Sequence, residues 1–319
     1  MSMNRGAGHG ESEESFFVSM TDIMVGLLFI FIILVVYFVL QVRIENEKLI
    51  RIEEEIGPEQ TRKSQLDRYR SAVDIQQTEI LKGLQSFFES EGFTNVIIDR
   101  SNGVLRFPEG VLFGSGQYDF AEGTATAVAV ETLANAFAEV LPCSVLNKEG
   151  GRFRSKADCR IGHSPHPNPY NAFVESIYIE GHTDNIPVGA NGLRGDPKLS
   201  TNLKLSTRRA TNTYEKVIKE RKEIETFFGL TSFASSSLQP GLSSAKPSAV
   251  RPEVKPALAV SGYGAQRPIA DNTTPRGRNA NRRIDVRIVM YRPFDFVALE
   301  SLRERLVGAA AEGDSNDLG

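Results

Sequence analysis

RIDVRIVM, residues 283–290, decides the fold class. Ile284, Val286, Ile288 and Met290 alternate with Asp285, Arg287 and Val289, the period-2 pattern of a strand with one face on a core. Working back along the chain, Leu258 to Ser261 and Ser176 to Glu180 read as further strands, the second running into GHTDN (181–185). Val96 to Ile98 and Val104 to Phe107 flank Asn102-Gly103, a hairpin turn signal. Between these strands lie two helical stretches. One runs from about Ala121 to Val140 with Leu133, Phe137 and Leu141 on one face, the other from about Ser206 to Phe228. Strands alternating with helices predict an α/β (α+β) domain of βαβαβ type, its sheet covered on at least one face. Residues 231–256, TSFASSSLQPGLSSAKPSAVRPEVKP, have loop composition and read as a surface insertion.

The N-terminal part has a different character. Phe16 to Val42 carries a single charge, Asp22. Ile23 to Leu40, IMVGLLFIFIILVVYFVL, covers about 27 Å as a helix and, extended to Phe16, exceeds the roughly 30 Å hydrocarbon core. The prediction is one membrane-spanning helix over 16–42, since the GESEES flank and QVRIENEK exit do not suit a cleaved secretory signal. Asp22 has two readings: a helix N-cap beside Ser19 and Thr21, or a protonatable relay whose pKa burial raises. Arg5 before the helix against Arg43, Lys48 and Arg51 after it would place the C-terminal part in the cytoplasm. The downstream chemistry requires the opposite orientation and overrules that bias. The whole chain carries 37 basic and 40 acidic side chains, so no basic field points to a nucleic-acid partner.

Residues 43–90 read as a connector. Ile44, Leu49, Ile52 and Ile56 lie among charges, Gly57-Pro58 is expected to break any helix, and 43–56 could form an amphipathic plug. Leu66, Tyr69, Val73, Ile80, Leu84 and Phe87 then follow helical spacing with a polar gap at Gln76 and Gln77, suiting either a weak oligomerisation helix or one packed on its own domain. Cys143 and Cys159 bracket a loop-like stretch. A disulfide, worth about 3 kcal/mol in the chain-entropy model, would fit an oxidising compartment. Zinc bound with His163 and His166, or two free thiols, are the alternatives, although the spacing is not that of common zinc modules.

Three stretches in order, IYIEGHTDN (177–185), TNLKLSTRRA (201–210) and SGYGAQRPIADNTTPRGRNANRRIDV (261–286), resemble the peptidoglycan-binding domain of the OmpA family, as does VLRFPEGVLFGSG (104–116). The resemblance implies an OmpA-like domain over 91–293, followed by a C-terminal tail over 294–319. It implies binding of the diaminopimelate stem peptide, whose zwitterionic end needs one fixed acid and one fixed guanidinium. Asp184 and Arg209 would supply them, with Asn202 and Thr183 as further contacts and Arg282 and Arg283 lining the site. The bland alternative is a structural Asp184–Arg209 ion pair with Arg282 and Arg283 as solvated strand charges. His182 reads as a hydrogen-bonded strand-end residue rather than a catalytic base. No enzyme and no cofactor is expected.

A transmembrane helix with one aspartate, a connector and this domain is the layout of MotB-type stator subunits, and SMTDIMVGLLFIF (19–31) resembles their membrane motif. That likeness implies Asp22 as the ion-translocating residue, a homodimer, and an A-type (MotA/ZorA-like) channel subunit as partner. It also implies a bacterial inner-membrane location, with residues 1–15 cytoplasmic and the C-terminal domain periplasmic. The cysteine-bracketed stretch, the Ser/Pro-rich insertion and the tail after Arg292 look more like the ZorB subunits of Zorya anti-phage systems than like flagellar stators. A flagellar stator and a passive wall anchor are the rival readings.

Overall fold

The computed structural model describes residues 11–114, 117–188, 201–231 and 253–313, with the side chains of 11–23, 49–57 and 307–313 outside that description. The chain divides into two compact units, Met1–Lys63 and Ser64–Gly319. Helix α1 (Glu11–Ser90) contributes to both. In the first unit the Met24–Lys48 segment is, among the described residues, long and apolar enough to cross a membrane. Its described side chains are exposed.

Helix α1 continues through Pro58, where the sequence predicts a break. Proline removes the N–H that would bond the Glu54 carbonyl, at a typical cost of about 3 kcal/mol. Here Pro58 to Ser64 are exposed, so water can reach the turn, and the neighbouring Glu, Gln, Arg and Lys residues favour helix.

In the second unit the last turns of α1 lie on their own core. Leu66, Val73, Ile80, Leu81, Leu84 and Phe88 are buried. The polar gap faces inward as well: Gln76 Nε2 donates to Ser144 Oγ (3.3 Å) and the Pro167 carbonyl (3.1 Å), and Gln77 Nε2 to the Ile288 carbonyl (2.7 Å). The stripe is thus spent within the unit, which answers the oligomerisation reading of these positions.

The sheet has strands β1 (Ile97–Asp99), β2 (Val104–Pro108), β3 (Val174–His182), β6 (Leu258–Gly262) and β7 (Arg283–Met290) in the order β1-β2-β7-β3-β6. All neighbours are antiparallel except β3 and β6, which the crossover through α3 (Asn202–Glu220) makes parallel. Gly103 turns the first hairpin at φ 65°, a conformation glycine adopts without a Cβ penalty. Helix α2 (Ala125–Val140), capped by the Thr124 hydroxyl on Ala127 N, packs against α3, which lies on β3 and β6. Leu105, Phe107, Ile177, Ile179, Ile284, Val286 and Ile288 meet Leu133 and Phe137 in the core.

Two short strands escape the sequence reading. β4 (Phe228–Thr231) and β5 (Glu253–Pro256) pair antiparallel at the two ends of the Ser/Pro-rich insertion, whose residues 232–252 lie outside the described ones. They carry Leu230 and Val254 to a second small cluster with Leu146, Phe173, Tyr291 and Leu302, the last from helix α5 (Phe296–Gly313). Arg70 Nη2 ties the start of the tail by donating to the Pro293 (3.1 Å) and Phe294 (2.9 Å) carbonyls. Cys143 and Cys159 are joined in a disulfide with Cα atoms 5.5 Å apart, so the thiols are not metal ligands.

Candidate functional site

The GHTD stretch ends β3 against α3, and its glycine sets the distance. A Cβ on Gly181 would lie 2.0 Å from the Ser206 carbonyl oxygen, and one on Gly262 of β6 would lie 2.1 Å from Thr207 Oγ1. Only glycine lets α3 sit this close to both strand ends. The Ser206 hydroxyl accepts from Gly264 N at 2.8 Å, and Thr183 N donates to the Gly264 carbonyl at 2.9 Å, locking the SGYG turn to the same corner.

Asp184 follows at this corner and is buried. Its Oδ1 accepts from Ile186 N (3.1 Å), while Asn202 Nδ2 donates to the Asp184 (3.1 Å) and Ile186 (3.0 Å) carbonyls. Asn202 therefore shapes the turn behind the acid. Thr183 Oγ1 is buried, and among the described residues it meets no hydrogen-bond partner.

Arg209, about two turns along α3 from its N-cap Thr201, is 3% exposed. Nε donates to the Gln117 carbonyl (2.7 Å) and Nη2 to the Gly114 carbonyl (3.4 Å), and the guanidinium lies 5.6 Å from the Phe113 ring centroid. Among the described residues no carboxylate reaches it within 4 Å. Burial pushes its pKa down to about 10, with Arg282 pushing the same way and Glu109 and Asp184 opposing. It remains a cation at neutral pH.

The acid's partner is Arg282. Its Nη1 meets Asp184 Oδ2 at 2.6 Å, and its Nε donates to Glu109 Oε2 at 2.7 Å. These bonds, led by the one to Glu109, raise its pKa. The Asp184–Arg209 ion pair offered as the bland alternative is not what forms. The helix before Arg282, α4 (Pro275–Asn281), is placed by Asn281, whose Oδ1 accepts from Ile269 N (2.8 Å) and Ala270 N (3.1 Å) and whose Nδ2 donates to the Ala270 carbonyl (2.8 Å).

Arg283 turns the other way. It starts β7 on the sheet face opposite Ile284, its Nε donating to Asp285 Oδ2 (3.0 Å) and its Nη2 to the Arg267 carbonyl (3.2 Å). Nor is it a solvated strand charge, since its side chain is 3% exposed. That face is a cross-strand ion network. Arg287 clamps Glu180 with Nε–Oε1 and Nη2–Oε2 bonds of 2.9 Å each, and Arg106 bridges Asp285 (3.2 Å) and Asp99 (3.3 Å). Burial alone would raise the Glu180 pKa, but neighbouring His182 and Arg287 outweigh it and hold it at about 2.

His182 departs from expectation. It stacks on Tyr263 at 5.3 Å, and neither ring nitrogen has a hydrogen-bond partner among the described residues. Its Nε2 stands 3.6 Å from Asp285 and 3.9 Å from Glu180. Burial lowers its pKa, against the pull of Glu180 and Asp285. Glu180, His182 and Asp285 bring donor atoms within 4.8 Å of one another, but Arg106, Arg283 and Arg287 already occupy the carboxylates, and their charges oppose a metal ion.

Glu109 and Phe113 are the site residues that sequence reasoning passed over. Both stand in the FPEGVLF stretch, whose value lies in contacts with residues far along the chain. The side chain of Asp22 lies outside the described residues, as do residues 189–200 of the loop after GHTDN.

No family model matches the chain, and no curated protein matches it. Among solved structures it is similar to a MotB-like protein from Desulfovibrio vulgaris, at 18% identity over 70% of this chain and 95% of that one, TM-score 0.40. It is also similar to the cell wall anchor of the T6SS from Pseudomonas aeruginosa, at 15% identity over 65% of this chain and 97% of that one, TM-score 0.38. A third is the periplasmic domain of Helicobacter pylori MotB, at 16% identity over 67% of this chain and 86% of that one, TM-score 0.34.

Proposed function

We propose that the chain is a single-pass inner-membrane stator subunit whose C-terminal unit grips peptidoglycan. The observation that carries the binding half is Arg209. A guanidinium 3% exposed that donates to two carbonyls and lies over an aromatic face has, among the described residues, no carboxylate within 4 Å, although Glu109 and Asp184 are near enough to act on its charge. Such a group is a receptor for a carboxylate supplied from outside. Asp184, buried at the same corner and bonded to Arg282, offers the complementary acid, so the two suit the zwitterionic end of a diaminopimelate stem peptide.

The membrane half rests on the apolar Met24–Lys48 segment and on the sequence motif around Asp22. Asp22 would load and release the translocated ion, a proton, at the interface with A-type (MotA/ZorA-like) subunits. Two copies would share that ring, with the N-terminus cytoplasmic and the wall-binding unit periplasmic. The disulfide between Cys143 and Cys159 suits that oxidising side. The bracketed stretch, the insertion and the tail favour a role in anti-phage defence over motility.

Co-sedimentation of the detergent-solubilised full chain with purified peptidoglycan tests the binding half. Wild type pellets with the wall material, and Arg209→Ala and Asp184→Asn stay in solution. Pelleting of both variants at the wild-type level would remove the assignment.

A further inference from the structure

The site holds one acid more than that reading uses. Glu109 follows β2, and its side chain is only 10% exposed. Its Oε2 accepts from Arg282, while Oε1 is buried with no donor reaching it among the described residues. A buried carboxylate oxygen left without a donor is costly. Glu109 lines a cavity of about 10 Å³, room for a single water molecule, together with Phe113, Arg209 and Arg282.

Asp184 reaches the same guanidinium from another side, through Arg282 Nη1 at 2.6 Å. Arg282 thus lies between two carboxylates contributed by different parts of the fold. Its side chain is the most exposed of the three, at 25% against 9% for Asp184 and 10% for Glu109. It can leave toward solvent, whereas the acids cannot.

Resting on the reading of Arg209 as a carboxylate receptor, we infer that Glu109 is the second acid of the ligand site and that Arg282 is an internal cation which the ligand's ammonium displaces. An amino-acid end carries its ammonium and carboxylate on one carbon, so the ammonium enters between Asp184 and Glu109 as the carboxylate reaches Arg209. The charge balance among the acids is kept. What changes is that a flexible guanidinium goes to water and a ligand cation takes its hydrogen bonds. Arg282 then competes with every ligand, which sets affinity and rejects ends lacking a free amine.

The test is calorimetric titration of the full chain in nanodiscs with a soluble stem-peptide fragment ending in diaminopimelate, and with the same fragment acetylated on its free amine. Glu109→Gln is expected to weaken binding of the free-amine fragment at least tenfold while leaving the weak binding of the acetylated one unchanged. Arg282→Gln is expected to strengthen binding of the free-amine fragment several-fold. Glu109→Gln binding within twofold of wild type, with Asp184→Asn impaired, would overturn this inference and leave the site reading standing. Should Glu109→Gln fail to fold, weaker binding by a folded Arg282→Gln would overturn it as well. If Asp184→Asn and Arg209→Ala also bind like wild type, the site reading falls and this inference falls with it.

Discussion

Replacing Gly181 with alanine tests how the fold holds the site. No positive φ is involved at this position, so the backbone accepts alanine and the effect is contact alone. The added Cβ would stand 2.0 Å from the Ser206 carbonyl oxygen and 2.7 Å from its carbon, more than about 1 Å inside ordinary contact. The clash is with helix backbone, which cannot rotate away as a side chain could. Helix α3 must therefore move off β3, loosening the packing of its Ala210 and Val217 in the core that holds Ile177 and Ile179. Overpacking of this kind typically costs about 1 to 3 kcal/mol, and a backbone clash belongs at the upper end. For a unit of this size about 3 kcal/mol lowers Tm by roughly 6 to 12 °C. Arg209 rides on the same helix, three residues after Ser206, so a shift of about 1 Å also displaces it from the Gln117 and Gly114 carbonyls. Differential scanning calorimetry and stem-peptide titration of one preparation read both effects. A Tm within 1 °C of wild type, with unchanged affinity, would refute the packing account of the GHTD glycine.

Acid should destabilise the second unit. Glu180 is held at about 2 against an ordinary 4.5, so its stabilisation is complete above pH 4.5 and is lost as pH falls toward 2. Chemical denaturation at pH 6, 4 and 3 checks this, and Glu180→Gln should flatten the dependence. Reducing the Cys143–Cys159 bridge should cost about 3 kcal/mol, visible as a lower Tm in dithiothreitol that a Cys143→Ser, Cys159→Ser pair reproduces without reductant. Asp22→Asn should abolish phage protection by the intact locus at equal membrane levels of the protein. Protection retained by that variant would point to a passive wall anchor.

Much of the sheet was legible because its signals are local. Asn102-Gly103 announced the first hairpin, and RIDVRIVM gave β7 its full span with the core side of each residue correct. The other side of that strand was not legible. Asp285 read as a charge on the face away from the core and Arg283 as lining the ligand site, yet both are buried in a network with Arg106, Glu180 and Arg287. The Arg287–Glu180 and Arg106–Asp285 partners stand 107 and 179 residues apart, and only the register between strands brings them together. Strands β4 and β5 were hidden for a related reason: four residues each, at the ends of a Ser/Pro-rich stretch, they gain meaning by pairing with each other and, through Phe228, with distant Leu146. Pro58 misled in the opposite sense, since the local rule was sound but exposure of the turn softened it.

The candidate site divides the same way. Asp184, Arg209 and Arg282 stood in recognisable motifs, and the structure brings them to one corner. Which guanidinium meets which acid was not readable: Arg282, rather than Arg209, takes Asp184. Glu109 went unremarked because a glutamate after a proline in a turn is usually a solvated charge. Its burial comes from β2 lying beside the start of β7, which carries Arg282 to it.

The central claim is that buried Arg209 receives a carboxylate from the wall peptide. Its most direct measurement is the affinity of the full chain for a diaminopimelate-ended stem fragment with its terminal carboxylate free and then amidated, by calorimetry at low and moderate salt. The account predicts at least a tenfold loss on amidation in wild type and no further loss in Arg209→Ala. Equal affinity of wild type for the two fragments would contradict it.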